Sequence, residues 1–584
     1  MPVRRNQSFL HGALILTMAT VLVKIIGAVF KIPLTMVLGA EGAAHFYTAY
    51  DIFNPISAIA IAGLPVAVSK MISESVAQGR YRDVRRIRRL SLLLFLITGT
   101  IGFLVSFVFA KPFAALVGNP AGEYAIMAIA PAVLFLCIMS SYRGYYEGLR
   151  NMYPTAISQV VEALAKLVLG LGLAFWVEKL GLESYEKTGR VFFVAVNTLE
   201  EAKTAVLPFA AMGAVLGVTL STLFGCLYLS ITHARHGDGL TKEELAYSPN
   251  ARSRKELVKG LIRVAIPVCI GALVVSLTAT IDLASVMNRL SIAVQNDAQT
   301  ILTQYRGMLP DDMTLERLPA YLFGTYKGLP ITIFHLVPSI TTAFGVSVLP
   351  AVSAAWARRD SSGIKRNVES SLRVTSLIAM PSGLGMMALA GPILSLLYNF
   401  SGNGMAGEVA ISTPLLSFMG ISVVFVAIAS PVNAILQAVG RADLPVKFMS
   451  IGALLKLAAN YLLVAVPKIN IMGAPVGTFL CYLFIVVASV VAVCKCTGTI
   501  LDFKSVFLKP LFAGLMCAGA AYASNGLLLI RLDSRLSTVI SILIAGLVYV
   551  IVLILIRGIS ADDVRMLPGG EKIAKVLENN RIIG

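Results

Sequence analysis

The sequence predicts an all-α polytopic membrane protein with about fourteen transmembrane helices, arranged as two parallel six-helix lobes followed by two C-terminal helices. Three observations lead to this prediction: long apolar segments, basic residues concentrated on every second connection, and an internal repeat. Hydrophobic residues make up 57% of the chain and charged residues 14%, which excludes an ordinary soluble domain.

The apolar segments are long enough to cross a bilayer, because a helix needs about 20 apolar residues to span the hydrocarbon. Segments of this kind, bounded by charges, Pro/Gly clusters or aromatic edges, lie at 9–37, 46–74, 90–110, 122–147, 154–177, 206–232, 260–289, 324–356, 372–397, 409–437, 446–466, 472–495, 505–526 and 536–556. The first one has no small-residue cleavage site, so we expect it to be retained as a span.

The connections between spans indicate the orientation, because cytoplasmic loops retain Lys and Arg. Basic residues crowd 78–90, 233–263 and 357–373, whereas the long outer connections 178–205 and 290–323 are richer in acids and are expected to act as surface caps or gates. Both termini are therefore expected in the cytoplasm. Positive-inside retention and anionic lipid head groups account for the net charge of +18, so we expect no nucleic-acid partner.

Cysteine and histidine give no sign of a metal or cofactor site. Most of the seven cysteines lie inside predicted spans, where a thiol behaves as a small apolar residue. Cys494 and Cys496 lie together at a cytoplasmic helix end without further Cys or His nearby. We expect no metal, no cofactor and no disulfide framework.

An internal repeat divides the chain into two halves. Val68-Ser69 and the following Gly79, Arg82, Val84 and Arg89 recur as Val352-Ser353, Gly363, Arg366, Val368 and Arg373, at a constant offset of 284. Arg150-x-x-x-Pro154 recurs as Arg441-x-x-x-Pro445, at an offset of 291. Six spans is an even number, so both halves enter the membrane from the same side. The expected divisions are 1–250, 251–500, and 501–584 with the last two spans and a polar tail.

Two lysines in the first span are the strongest candidates for a functional site. An ionisable side chain inside a span costs about 2.5–3.5 kcal/mol on insertion scales, so it tends to face an interior cavity. Lys24 and Lys31 are two turns apart on one face, and Pro33 is expected to bend this helix. They indicate a receptor for an anion. The alternative is snorkelling to the membrane surface, which suits Lys31 only if the span ends there, whereas Lys24 is too deep for easy snorkelling.

Four further charges extend this candidate site. Asp282 and Arg289 repeat the seven-residue spacing in the seventh span, and Asp282 could bind a coupling ion or pair with a cavity lysine. Asp51 lies one turn inside the second span, and Lys327 opens the eighth. Arg289 also lies near the outer end of its span, where snorkelling would explain it equally well.

Two other pairs of in-span charges favour a structural explanation. Arg143 and Glu147 are four residues apart, and so are Glu162 and Lys166. Opposite charges at this spacing can neutralise each other within one helix. The sequence leaves open whether either pair has a function.

Three stretches together resemble the polysaccharide transporter branch of the MOP exporter superfamily, in particular SpoVB/YtgP-like proteins, which are related to the MurJ lipid II flippases. They are Lys24-Ile-Ile-Gly27 through Leu38-Gly39-Ala40-Glu41-Gly42, Gly63-Leu64-Pro65-Val66-Ala67-Val68-Ser69-Lys70, and Tyr142-Arg143-Gly144-Tyr145-Tyr146-Glu147-Gly148-Leu149-Arg150-Asn151-Met152-Tyr153-Pro154-Thr155-Ala156. The resemblance covers nearly the whole chain and implies alternating access by two six-helix lobes in a bacterial cytoplasmic membrane.

The resemblance also implies which residues meet the substrate diphosphate. Spans one, two, seven and eight line the cavity in that family, and its flippases use arginines there. The first span-one arginine falls on Lys24 and the second falls one position from Lys31. The span-two arginine falls near Ser57 and is absent, whereas the span-eight arginine falls near Thr325, with Lys327 the nearest cation. Lysine keeps the charge but loses the bidentate fork that suits phosphate.

The expected function is a flippase that moves a polyprenyl-diphosphate-linked sugar, lipid II or a relative, for peptidoglycan, sporulation or another polysaccharide. The alternatives are a cation-coupled multidrug exporter, and a membrane glycosyltransferase or ligase that acts on the same lipid. Because no carboxylate pair or catalytic cluster gathers at one membrane face, we expect no enzyme activity. We expect a monomer whose partners are the lipid-linked oligosaccharide diphosphate and the bilayer. The sequence leaves open whether Na+, H+ or membrane potential drives it.

Overall fold

A computed structural model describes residues 9–237, 239–399 and 404–560, and these are almost entirely helical. The chain divides into two compact units. Unit 1 contains the described residues up to Ser291 together with Thr314–Gly324. Unit 2 contains Ile292–Met313 and the described residues from Thr325 onward. The predicted polar tail beyond residue 560 lies outside the described residues.

Unit 1 is built from nine helices and a small hairpin, in a regular order along the chain. The elements are α1 (Phe9–Ala58), α2 (Leu64–Ala77), α3 (Tyr81–Val108), α4 (Ala110–Leu116), α5 (Glu123–Gly148), α6 (Tyr153–Thr188), β1 (Arg190–Val191), β2 (Val194–Ala195), α7 (Leu199–His236), α8 (Lys242–Tyr247) and α9 (Arg254–Asn296). Alpha-helices α5, α6 and α7 pack side by side, and α1 packs against all three. Their shared core is apolar and includes Phe30, Phe46 and Leu136.

Helix α1 contains the first predicted span and the beginning of the second. Gly39, with φ 62° and ψ −174°, is the non-helical residue that separates its two parts. A residue with a β-carbon rarely adopts this backbone conformation, which explains a glycine at this position. Pro33 was the expected place for a bend, yet the break lies six residues later at Gly39. A π-helical turn at Ile59–Gly63 then continues α1 into α2.

The connection between α6 and α7 is shorter than the sequence suggested. Helix α6 continues to Thr188 and ends at Gly189, which adopts the left-handed conformation, while α7 already begins at Leu199. Glu183 lies 3.9 Å from both Lys179 and Lys187, so charges spaced for helix pairing explain the longer helix. The antiparallel hairpin β1–β2 fills most of the remaining connection.

Unit 2 contains the remaining described helices. They are α10 (Ala298–Gln304), α11 (Leu318–Gly328), α12 (Pro330–Phe334), α13 (Leu336–Ala357), α14 (Ser361–Ala388), α15 (Ala390–Tyr398), α16 (Ala406–Ala438), α17 (Asp443–Leu463), α18 (Gly473–Thr497), α19 (Lys509–Leu528) and α20 (Ser534–Leu555). The first residues of α11 belong to unit 1. The predicted eighth span therefore falls on three helices rather than one, and Pro330, which lacks an N–H donor, begins the second of them where α11 ends.

The last two helices pack against α14 and α15. The Tyr549 hydroxyl on α20 donates to the Leu377 carbonyl at 2.7 Å, and Arg373 donates to the Ser505 hydroxyl at 2.7 Å. Helix α19 approaches closely at Gly514, where a β-carbon would lie 3.1 Å from Leu384. These contacts attach α19 and α20 to one side of unit 2.

Within the described residues, ten helices are long and apolar enough to cross a membrane, or up to eleven when the bent pair α14–α15 counts as one span. That pair bends by 82°. The protein is therefore an all-α polytopic membrane protein.

Candidate functional site

Lys24 and Lys31 lie on the first part of α1, before the break at Gly39, and both are half-buried. Seven residues of helix correspond to a rise of about 10 Å, so the two ammonium groups are two turns apart. The Lys31 Nζ lies 5.7 Å from the centre of the Tyr47 ring, which belongs to the second part of α1. A cation over an aromatic face is held by the ring quadrupole, so Tyr47 helps to orient Lys31.

Asp51 and Asp282 lie on helices that touch each other in unit 1. Asp51 is 5% exposed and Asp282 is 3% exposed. The Thr280 hydroxyl on α9 contacts the Asp51 carbonyl oxygen of α1 at 3.5 Å. The Asn54 amide donates to the Asp51 carboxylate at 3.3 Å. The structure thus shows a contact between α1 and α9 that joins Asp51 to Thr280, two residues along the chain from Asp282, which the spacing of the sequence could not show.

Arg289 and Lys327 occupy different surroundings. Arg289 is half-buried near the end of α9, two turns after Asp282. Lys327 belongs to unit 2, is 4% exposed and lies in the last turn of α11. A lysine in the last turn also interacts favourably with the partial negative charge of the helix C-terminus.

The two ion pairs were expected within single helices, but the structure pairs Arg143 with a residue of a different helix. Arg143 of α5 forms its ion pair with Glu162 of α6, at 3.0 Å, and it also donates to the Ser158 hydroxyl at 3.1 Å. Lys166 lies 5.6 Å from the Phe30 ring of α1. The in-span charges of α5 and α6 therefore join neighbouring helices, because the adjacent helices offer closer partners than the next turn does.

The Tyr142–Ala156 stretch of the sequence forms a packed corner rather than a binding loop. Glycines at 144 and 148 let α5 approach α2 so closely that a β-carbon would lie 2.6 Å from the Pro65 carbonyl and 2.7 Å from Ile72, respectively. The Tyr145 ring meets His233 of α7 edge-on at 5.7 Å. This stretch therefore connects α5 with α2 and α7.

Sequence reasoning missed an ion pair at the start of α11. Arg317 donates to both carboxylate oxygens of Glu41 and to the Thr204 hydroxyl. Arg317 looked like one of several basic residues in a long connection, and Glu41 like part of a motif. Only the position of Glu41 two residues after Gly39, where a helix restarts, indicated a special environment.

The candidate residues offer two chemistries, ammonium groups that suit an anion and carboxylates that suit a cation. Lys24 and Lys31 supply point charges without a planar fork, so they attract a phosphate without fixing its orientation. Asp51 and Asp282 are acids buried in a mostly apolar bundle, an environment in which charges are kept for function or paired. Within the described residues, no three His, Cys, Asp or Glu side chains are grouped as metal ligands.

Two family models match overlapping parts of the chain. The polysaccharide biosynthesis protein model matches residues 9–357, and the model of the lipid II flippase MurJ matches residues 326–486. The chain is similar to the lipid II flippase MurJ of Bacillus subtilis (strain 168), with 26% identity over 82% of this chain and 81% of the relative. Stage V sporulation protein B of the same organism is 25% identical over 96% of this chain and 98% of its own length.

One solved structure shows the same fold. The lipid II flippase MurJ in an inward closed conformation superposes with a TM-score of 0.60 at 16% identity, covering 93% of this chain and 98% of that one. The matches indicate a membrane flippase or transporter rather than a catalytic enzyme. Because the first model covers more than half of the sequence, the chain belongs to the polysaccharide biosynthesis protein family and is a SpoVB- and MurJ-like member of the MOP exporter superfamily.

Proposed function

We propose that this protein is a flippase that moves a polyprenyl-diphosphate-linked sugar, lipid II or a related precursor, across the bacterial cytoplasmic membrane by alternating access. The observation that carries the proposal is the pair of lysines inside α1 of a protein whose relatives include a lipid II flippase. A diphosphate head group crossing a bilayer needs cations along its path, because burying it without them is costly.

Lys24 and Lys31 bind the substrate diphosphate in this proposal, with Arg289 and Lys327 as further cations. Tyr47 supports the binding role of Lys31, because a lysine already held over a ring loses less conformational freedom when it meets a phosphate. Ammonium groups keep the anionic selectivity while relaxing the geometry that an arginine fork would demand.

Asp51 and Asp282 provide the coupling in this proposal. Either acid can bind Na+ or H+ in one state, or attract a cavity lysine before the substrate arrives. A substrate that competes with such a pairing binds the two states with different affinities, which is what a transport cycle requires.

We propose fourteen spans in two parallel six-helix lobes plus two C-terminal helices, with both termini in the cytoplasm. The length of α1 supports the higher count, since its 50 residues correspond to about 75 Å of helix, more than twice the hydrocarbon thickness. A break at Gly39 between two spans fits this length.

Transport in liposomes tests the anion site. Lys24→Ala should reduce lipid II flipping to background, whereas Lys24→Arg should keep part of it, because the positive charge is retained. Lys166→Ala is the matched control, because it removes a different in-span lysine, one that lies over the Phe30 ring. Flipping by this variant should stay near the wild-type rate. Wild-type flipping by a folded Lys24→Ala protein would disprove the anion site.

A second candidate is the export of a cationic drug coupled to a cation. The buried acids Asp51 and Asp282 on touching helices favour it, because a cationic substrate needs carboxylates. The same liposomes distinguish the two functions when a cationic dye replaces the lipid. Export of the dye that is lost in Asp282→Asn, together with no lipid flipping, would support the drug exporter.

A further inference from the structure

An arginine just before α11 joins the start of this helix to α1 and α7 within unit 1. The Arg317 Nε lies 3.1 and 3.0 Å from the two Glu41 carboxylate oxygens, and its Nη2 lies 2.8 Å from Glu41 Oε2. The same Nη2 donates to the Thr204 hydroxyl at 3.1 Å. A bidentate guanidinium–carboxylate pair combines charge with fixed geometry, so it is among the stronger polar contacts in proteins.

This contact is shielded from water without being sealed. The side chains of Arg317 and Glu41 are 24% and 11% exposed. Partial burial strengthens the pair relative to an exposed one, yet it leaves both groups able to be hydrated when they part. Such a contact can form and break within a working cycle.

Close packing next to the ion pair also holds α11 against α1. Gly324 of α11 lies against the backbone of α1, and a β-carbon there would overlap the Ala40 carbonyl oxygen. Ala40 is only 2% exposed. Ala40 and Glu41 directly follow the break at Gly39, so the ion pair and the glycine contact hold α11 on the first residues of the restarted helix.

The chain around this contact changes units twice. Ile292–Met313 belongs to unit 2, Thr314–Gly324 to unit 1, and the chain from Thr325 returns to unit 2. Both ends of this short segment are therefore points at which the chain passes from one unit to the other. In the proposed topology, Glu41, Thr204 and Arg317 all lie at outer ends of spans.

We propose that Glu41, Thr204 and Arg317 form a releasable latch that keeps the outer end of α11 closed on α1 and α7 during one part of the transport cycle. The latch rests on the proposed transport function for its role, but its opening can be measured without any substrate. Breaking it should raise the population of the opened state, since that state no longer competes with the ion pair.

Thiol labelling from outside measures the opening. In an Ala40→Cys background, a membrane-impermeant maleimide should react slowly, because Gly324 covers this position. Adding Arg317→Ala should speed labelling about tenfold. Arg306→Ala, which removes an exposed arginine from the same connection, is the matched control and should leave the rate unchanged. Should Arg317→Ala not fold, Arg317→Lys keeps the charge, loses the fork, and should give an intermediate rate.

The outcomes separate the latch from the transport proposal. Unchanged labelling in folded Arg317→Ala or Arg317→Lys proteins would overturn the latch. Faster labelling with wild-type lipid II flipping would overturn its role in the cycle, whereas faster labelling with a severalfold change in flipping would support it. If the wild-type protein moves no lipid II, the proposed function fails, while the labelling rates still decide whether the contact opens.

Discussion

Two corners between helices in unit 1 have the same backbone conformation as two corners in unit 2. Where one unit has glycine at the left-handed position, the other has arginine. The α2–α3 and α13–α14 corners turn at Gly79 (φ 68°) and Arg359 (φ 55°). The α5–α6 and α16–α17 corners turn at Arg150 (φ 57°) and Gly440 (φ 80°). At all four corners, the next N–H bonds to the carbonyl five residues earlier, at 2.8–3.0 Å. The fold thus demands a left-handed residue at each corner, and glycine is only one way to supply it.

The coverings of the equivalent corners differ. At the α2–α3 corner, Asp83 is fully buried and accepts from Arg80 Nε at 2.7 Å and from Arg252 Nε at 2.8 Å. The Arg86 guanidinium adds a bond to the Arg252 carbonyl at 2.6 Å. The loop before α9 is thereby tied down over this corner, so residues of the basic cluster have a structural role besides the one predicted for them in orientation.

The α13–α14 corner is open by comparison. Asp360 accepts from the Gly363 N–H at 2.9 Å and from the Ser362 hydroxyl at 2.8 Å, and both bonds are exposed. Further along α14, Glu369 accepts a hydrogen bond from the Asp502 N–H, so the segment before α19 contacts this part of the helix. A loop therefore covers the corner in unit 1, whereas in unit 2 the bonds at the corner are exposed and the segment before α19 contacts α14 further along.

The largest effect is expected at the closed corner. Asp83→Ala leaves Arg80 and Arg252 without their shared acceptor, and we expect a loss of about 2–3 kcal/mol in the free energy of unfolding, because these guanidinium groups are partly exposed. Thermal unfolding of the purified protein in detergent measures it. Asp360→Ala is the comparison in unit 2 and should lower the melting temperature far less; equal losses would contradict the difference between the corners.

A close helix approach gives the next effect. Gly144→Ala places a β-carbon against the Pro65 carbonyl, and backbone atoms cannot move aside cheaply, so we expect a cost of about 1–3 kcal/mol. Gly172→Ala in α6 is the control, because a β-carbon there meets nothing within 4 Å. Melting temperatures of the two variants test this, and an undiminished value for Gly144→Ala would mean that α2 and α5 are less tightly packed.

The left-handed corners allow a symmetrical experiment. Gly79→Ala and Gly440→Ala should each cost about 1 kcal/mol, because their β-carbons have room and only the backbone conformation is strained. Arg150→Gly and Arg359→Gly should be neutral or stabilising, since glycine adopts this conformation more readily. Destabilisation by all four substitutions would show that the arginine side chains contribute more than the backbone.

The smallest effect concerns acid. Bonds from the Gly363 N–H and the Ser362 hydroxyl hold the pKa of Asp360 below its usual value of 3.8. The stability that this carboxylate contributes is present above the usual pKa and is lost as the pH falls through the lower value of the folded protein. Asp360→Asn should therefore make the melting temperature slightly less dependent on pH below about 4. An identical pH profile would show that the charge of the Asp360 carboxylate contributes nothing to the stability.

Much of the helical framework could be predicted because long apolar runs have few other solutions in a bilayer. The corners show why alignment by residue type fails. The sequence match pairs Gly79 with Gly363, whereas the backbone equates Gly79 with Arg359, one helical turn earlier. Similarly, Arg150 corresponds to Gly440 and not to Arg441. A left-handed conformation is a property of the backbone, and an arginine in the sequence does not predict it.

The candidate site was predictable as a set of residues but not as a set of contacts. Lys24, Lys31 and Asp282 stood out because charges are rare in spans. The partners of Arg143 and Arg317 depend on which helices become neighbours, and no local spacing encodes that. The roles of the site residues in transport stay predictions.

The π-helical turn at Ile59–Gly63 has a consequence for any scan along this helix. Such a turn inserts one extra residue, and each residue of an α-helix advances by about 100° around the axis. Side chains after Gly63 are therefore rotated by roughly a quarter turn relative to a wheel drawn from the Asp51 side. Residues that line a pore near Asp51 would be continued after the turn by residues one position later than a regular helix predicts. A single helical periodicity applied to all of 46–74 would therefore assign the wrong residues to the pore.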